Sequence, residues 1–382
     1  MTEIRKDPLL FTPGPLTTSA TTKEAMLHDW GSRDAEFIRV NRRVRDRLVE
    51  LAGGRDSHVC VPLQGSGTFI VEAMIGTLVP PSGKLLMLVN GAYGKRMVRM
   101  CEYYRRACAV IEAPEDRPVD PAGLDSALAR DSAVTHVAVV HCETTSGMLN
   151  PVEEIAAVTA RRGRRLLIDA MSAFGAIPLD AARMPFDAVV ASANKCLEGI
   201  PGMGFGIIRR DALEAARGNA PSLSLDLHDQ WVSMEKNGQW RFTPPTHVIA
   251  ALDQALSEHA AEGGVAGRGA RYARNCQVLL AGLRAMGFET LLPDALQAPI
   301  IVTVRMPADP RFHFETFYDR LSQRGFVIYP GKLTVADSFR IGCIGRLGET
   351  EMRGVLDAIR DIADEMGVTH CGPAPSGAAA RR

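Results

Sequence analysis

Residues 164–195, RRLLIDAMSAFGAIPLDAARMPFDAVVASANK, contain two short apolar runs, each leading to a charged side chain. The first run, Arg165–Asp169, ends on the aspartate; the second, Ala188–Ser192, is followed closely by Lys195. Neither run alternates apolar with polar residues. Strands that are apolar on both faces suit a sheet buried under helices, which is the parallel arrangement. Ligands of such sheets bind at the carboxyl ends of the strands. The stretch therefore predicts Asp169 and Lys195 on one rim of one sheet.

Outward from it the same pattern recurs. His58–Leu63, Leu85–Val89, His136–His141 and Phe205–Ile208 read as further buried strands. Between strands lie amphipathic segments, among them Glu36–Leu51, with Phe37, Val40, Val44, Leu48 and Leu51 at helical spacing, and Val152–Arg161. Alternation of this kind predicts an α/β fold with a large, mostly parallel sheet. After Gly263-Gly264 the order changes to a helix (Val265–Met286), a strand (Pro299–Arg305), a helix (Phe314–Arg324), short strands near Val327 and Phe339, and a helix over Glu349–Met366. The expected organisation is an N-terminal arm over 1–20, a large domain over 21–260, a smaller α+β domain over 261–368, and a disordered Pro-rich tail over 369–382.

Composition narrows the function. Of 382 residues, 46% are hydrophobic and 23% charged, and the formal net charge is zero. That balance offers no broad basic footprint for nucleic acid or an anionic membrane. The eight cysteines show neither CxxC pairs nor metal-type spacing with histidine, so reduced cytoplasmic thiols are expected and no metal site. The start, MTEIRKDPLL, lacks the apolar core of a signal peptide, and no run is long enough for a membrane span.

Three local signals carry chemistry. A lysine amine beside a carboxylate at a sheet rim is what pyridoxal 5′-phosphate (PLP) requires: the amine forms a Schiff base and the carboxylate keeps the pyridine nitrogen protonated. Position alone does not decide this, since Lys195 can equally be a solvated loop lysine and Asp169 a cap. Gln64-Gly-Ser-Gly-Thr68 joins a strand to a helix; its glycines, helix N–H groups and the Ser66 and Thr68 hydroxyls suit a phosphate, although a plain capped turn reads the same way. Asn90-Gly-Ala-Tyr-Gly94 follows a strand and offers Tyr93 as a ring to lie over a planar cofactor, or for ordinary packing. Gly202-Met-Gly-Phe-Gly206 reads as a turn, and Cys196 as a packing residue.

Taken in order, the motifs LLFTPGPLTTS, LQGSGT, NGAYGKRM, HCETTSGMLNP, IDAMSAFG, SANKC, SLSLDLHDQW, WRFTPPTH, GFVIYPGK and FRIGCIG resemble the class V group of fold-type I PLP-dependent aminotransferases over about residues 8–366. The resemblance implies a homodimer that transfers an amino group by a ping-pong route. The expected substrates are 2-aminoethylphosphonate and pyruvate, in phosphonate breakdown; alanine–glyoxylate or serine–pyruvate exchange is the alternative. By the same resemblance Lys195 is the Schiff-base lysine and Asp169 the partner of the ring nitrogen. Ser66, Gly67, Thr68 and Asn194 hold the phosphate, Tyr93 stacks on the ring and Thr145 meets its 3-hydroxyl. Thr243 reaches the neighbouring subunit's cofactor, and Arg340 binds the acidic group of the substrate. Two positions depart from the pattern: Cys343 where asparagine is expected, and Arg33 where tryptophan is common. Arg33 is read either as an additional substrate contact or as a sign of altered acceptor or donor preference.

Overall fold

The computed structural model describes residues 7–334 and 336–374. The chain starts with β1 (Leu9–Leu10), α1 (Ala20–Glu24), α2 (Ala35–Leu51) and β2 (His58–Gln64). It continues through α3 (Gly67–Leu78), β3 (Lys84–Val89), α4 (Ala92–Tyr103), β4 (Ala107–Glu112), α5 (Pro121–Arg130) and β5 (Val134–Val140). Next come β6 (Cys142–Glu143), β7 (Met148–Leu149), α6 (Val152–Arg161), β8 (Arg165–Asp169), β9 (Ala188–Ser192) and β10 (Met203–Arg209). Helices α7 (Arg210–Ala215), α8 (Leu227–Asn237), α9 (Thr246–Ala261) and α10 (Gly264–Ala285) follow. The last elements are β11 (Ile301–Arg305), α11 (Phe314–Gln323), β12 (Phe326–Val327), β13 (Tyr329–Pro330), β14 (Ser338–Gly342) and α12 (Glu349–Glu365).

Two compact units result. The larger comprises residues 18–143 and 149–269, and its centre is a seven-stranded sheet in the order β2-β10-β9-β8-β5-β3-β4. Strand β10 runs antiparallel to β2 and β9, while the pairs from β9 to β4 are parallel. Successive residues of a strand face opposite sides, and both sides here are core. Val137, Val139, Leu166, Ile168, Val189 and Ala191 pack on one side with α2, α6 and α9. Ala138, Val140, Leu167, Ala188 and Val190 pack on the other with α3, α4 and α8. This double burial explains why the strands read as unbroken apolar runs.

Three differences from the sequence reading have simple causes. The edge strand β4 escapes it although Ala107–Ile111 are apolar; it pairs on one side only, and its residues stay half-exposed. The Gly202–Gly206 segment is strand from Met203 onward rather than a turn. A Cβ on Gly204 would stand 2.7 Å from Ile70 Cγ2, so glycine there lets α3 press against the sheet. The larger unit also extends past the Gly263-Gly264 punctuation to Gly269, because Arg268 is buried within it against the Cys196 carbonyl and Glu262.

The smaller unit joins the arm up to Thr17 and residues 144–148 to the chain from Ala270 onward. Strands β11, β14 and β13 form an antiparallel sheet, and β1 adds in parallel to β12. Phe11, Leu279, Phe317, Phe339, Ile341, Val355 and Ile359 share its core. The tail expected to be disordered from 369 begins instead with fixed residues. Asp309 accepts the Thr369 N–H at 2.9 Å, and Cys371 is buried. Its remaining positions, 375–382, lie outside the described residues.

Candidate active site

Strands β8 and β9 are parallel neighbours, so Asp169 and the Asn194-Lys195 turn leave the sheet on the same rim. Asp169 is 4% exposed, and its Oδ1 accepts the backbone N–H of Met171 at 2.9 Å. Burial pushes its carboxyl up to about 6. The neighbouring Glu143 charge adds to the rise, while the Met171 N–H, Arg96 and Lys195 oppose it. Lys195 and Asn194 are half-buried. Behind them, the Glu198 N–H closes a turn on the Lys195 carbonyl at 2.7 Å.

Strand β2 runs parallel in direction to β9, because β10 opposes both. The loop after β2 therefore reaches the same rim. Gly65 adopts φ +126°, a conformation that favours glycine, and α3 starts immediately after Ser66. Ser66 makes no side-chain cap, so its hydroxyl does not take up the first N–H groups of this 12-residue helix. A Cβ on Gly67 would stand 2.5 Å from Met171 Sδ, so a larger residue there would have to displace the Met171 side chain. A loop that opens a helix in this way suits an anion, and Gly67 stands against Met171 of the Asp169 loop.

The third loop, after β3, starts α4. Glu143 is buried, and its carboxylate lies 3.3 Å from the Tyr93 N–H and 3.4 Å from the Gly94 N–H. Gly91 is needed there, since a Cβ would meet Glu143 Cδ at 2.4 Å. Arg96, one turn on, donates from Nη1 to Thr68 Oγ1 at 3.1 Å and lies 5.1 Å from the Tyr93 ring centroid. The structure thus brings Ser66, Gly67, Thr68, Tyr93, Asp169, Asn194 and Lys195 to one end of the sheet. Arg33 and Thr243 are exposed in the same unit, before α2 and α9 respectively, and among the described residues neither is drawn into this network.

Thr145 and Arg340 belong to the smaller unit. Arg340 lies in β14 and is 2% exposed; Nη1 donates to the Thr144 carbonyl at 2.9 Å and Nε to the Pro330 carbonyl at 3.1 Å. Two carbonyls thereby fix the plane of the guanidinium. Cys343 is fully buried, with its N–H on Ile300 and its carbonyl accepting from Asn275 at 3.0 Å. Cys196 is buried too, its thiol donating to the Ser172 carbonyl at 3.2 Å, and burial raises it to about 12. Both thiols are packing groups, not exposed nucleophiles.

Arg96 and Glu143 are site residues that sequence reasoning missed. Arg96 sits within the quoted NGAYGKRM motif and Glu143 within HCETTSG, so their identity was visible and their convergence was not. Asp226, His228 and Asp229 also gather within 4.8 Å. Asp226 caps α8 and Asp229 pairs with Arg241, which accounts for that cluster.

The family described as aminotransferase class-V matches residues 22–339. A 2-aminoethylphosphonate–pyruvate transaminase of Cupriavidus taiwanensis is 55% identical over 362 residues, covering 95% of this chain and 96% of that protein. One from Pseudomonas aeruginosa is 53% identical over 368 residues, covering 96% and 99%. Among solved structures, pyridoxamine–pyruvate aminotransferase from Mesorhizobium loti superposes with a TM-score of 0.86 at 26% identity, covering 95% of this chain and 94% of that one. On sequence, fold and rim geometry alike, the chain belongs to the class-V aminotransferase family.

Proposed function

We propose that this chain is a PLP-dependent aminotransferase that moves the amino group of 2-aminoethylphosphonate to pyruvate, giving phosphonoacetaldehyde and L-alanine. The observation that carries the reading is the joint one: relatives at 53–55% identity over nearly the whole chain bear that name, and Lys195 and Asp169 share a rim with an open anion cradle. The residues present fit PLP. Helix α3 offers uncapped N–H groups for its phosphate, and Asp169 offers a carboxylate whose burial makes a cationic ring nitrogen a welcome partner.

Lys195 Nζ is the amine that would hold the cofactor, and, when free, it would take the proton from the donor's amine-bearing carbon. PLP, when bound, supplies an electron sink for that carbon. Asp169 accepts from the ring nitrogen. Ser66, Gly67, Thr68 and Asn194 hold the phosphate, Tyr93 covers the ring, and Thr145 meets the 3-hydroxyl. Arg340 holds the donor's phosphonate and then the carboxylate of pyruvate, since a fixed guanidinium forks onto either. Arg33 is an added substrate contact.

The same reading includes a homodimer in which Thr243 reaches the partner's cofactor, and a cytoplasmic location. Its support is the exposure of Thr243, the eight free thiols and the lack, among the described residues, of a helix long and apolar enough to cross a membrane. Parallel assays with 2-aminoethylphosphonate, alanine and serine as donors test the substrate, and turnover with alanine or serine alone would overturn it. Sedimentation tests the dimer, and restoration of activity on mixing Lys195→Ala with Thr243→Val chains tests the shared site.

A further inference from the structure

Arg96 is, among the described residues, a cation of the rim for which the reading above has no role. It lies one helical turn beyond Tyr93 on α4, where residues three apart share a face. Its base is held firmly, because Glu143 takes the N–H groups of Tyr93 and Gly94 at the start of the same helix. From there the half-buried side chain crosses to α3 and meets Thr68 Oγ1 at 3.1 Å, with the Tyr93 ring 5.1 Å from its guanidinium carbon.

A guanidinium has donors only, so the direction of the Thr68 contact is fixed: the hydroxyl oxygen accepts. The hydrogen of that hydroxyl is then left for another acceptor, and Thr68 stands in the first turn of α3. A positive charge beside a helix N-terminus also adds to the partial charge that favours a dianion. Stacked over Tyr93, the same group backs the ring in the position where it can cover a planar molecule.

We propose that Arg96 is a positioning residue of the cofactor's phosphate cradle, acting through Thr68 by holding its hydroxyl as an acceptor so that the hydroxyl donates to the phosphate of PLP. The inference rests on the PLP reading and assigns a residue outside the phosphate-binding loop to the phosphate. It separates two energies: the phosphate's hold on the loop, which depends chiefly on Arg96, and the ring's hold on Asp169 and Lys195, which Arg96 touches only through its charge and the Tyr93 ring.

The test is equilibrium binding of PLP and of pyridoxal, which lacks the phosphate, to the apoenzyme. Arg96→Gln is expected to weaken PLP binding about 10- to 100-fold, the range for losing a hydrogen bond in a charged network, and pyridoxal binding less than about 3-fold. In a Thr68→Val background the same substitution is expected to cost less than about 3-fold for PLP. Unchanged PLP affinity overturns the inference. So does an equal loss for pyridoxal, or an equal loss with and without the Thr68 hydroxyl. If the glutamine variant does not fold, Arg96→Met gives the same reading, since it keeps the apolar stem and removes the donor and the charge; wild-type affinity there overturns the inference. Failure of the wild-type chain to bind PLP is a different result, and it removes the proposed function itself.

Discussion

Asp169 Oδ1 accepts the backbone N–H of Met171 at 2.9 Å, which pins one carboxylate oxygen at the end of β8. The anchor holds an acid that burial pushes up to about 6, against an ordinary value of 3.8. The carboxylate is thus fixed in place while its charge is poorly solvated, a state that a cationic ring nitrogen relieves.

The pH dependence follows from that shift. An acid whose folded pKa lies above its unfolded value stabilises the fold below the unfolded value and loses that contribution as pH rises through about 6. Replacing the buried charge with Asp169→Asn is therefore expected to raise the thermal stability of the apoenzyme at pH 8, by on the order of 2 kcal/mol. PLP affinity moves the other way. In the wild type it is expected to weaken as pH falls through about 6, and in Asp169→Asn to be at least about 10-fold weaker at pH 8 with that pH dependence gone. Scanning calorimetry and dialysis at several pH values check both signs, and a destabilised asparagine apoenzyme would contradict the assignment.

Gly67→Ala places a methyl group 2.5 Å from Met171 Sδ, at the point where α3 begins and beside the Asp169 loop. Met171 is a flexible side chain and is expected to yield, so the fold survives. The cradle shifts with it, and PLP affinity is expected to fall about 10-fold or more, comparable to one lost charge-assisted hydrogen bond. Ser66→Ala, which removes one hydroxyl and moves nothing, is expected to have the smaller effect. Fluorescence titration of the two apoenzymes decides the order.

Much of this could be read from the chain. The runs at Arg165–Asp169 and Ala188–Ser192 were legible because strands covered on both faces are apolar between their ends, and their last residues mark the rim. The half-exposed edge strand at Ala107–Glu112 escapes the reading although its first five residues are apolar. Gly204 misleads for a steric reason: a residue type that punctuates turns is used inside β10 to admit Ile70. Glu143 and Arg96 carry no local signature. Their roles arise from a carboxylate and a guanidinium meeting the start of α4 and the hydroxyl of Thr68, contacts between segments distant in sequence.

Arg340→Lys tests the substrate clamp. Lysine keeps the charge but not the planar fork that the Thr144 and Pro330 carbonyls orient. The KM for both 2-aminoethylphosphonate and pyruvate is expected to rise about 10- to 100-fold, with PLP affinity unchanged. A rise for only one of the two substrates would show that the phosphonate and the carboxylate are held by different groups.

Lys195→Ala is expected to lower turnover by at least about a thousandfold, because one side chain supplies both covalent attachment and proton transfer. Borohydride, which fixes a lysine-bound aldehyde, is expected to leave PLP attached to the wild-type chain and to release none from it on denaturation. The same treatment of Lys195→Ala is expected to leave all PLP removable, as mass spectrometry of the chain will show.

The most direct measurement is the absorbance spectrum of the purified PLP-loaded protein, with 2-aminoethylphosphonate added first and pyruvate second. The expected result is loss of the lysine-bound cofactor band with the amine and its return with pyruvate, one half of the reaction at each addition. A band that ignores 2-aminoethylphosphonate and responds to alanine or serine would contradict the substrate assignment. The absence of any band after added PLP would contradict the role given to Lys195.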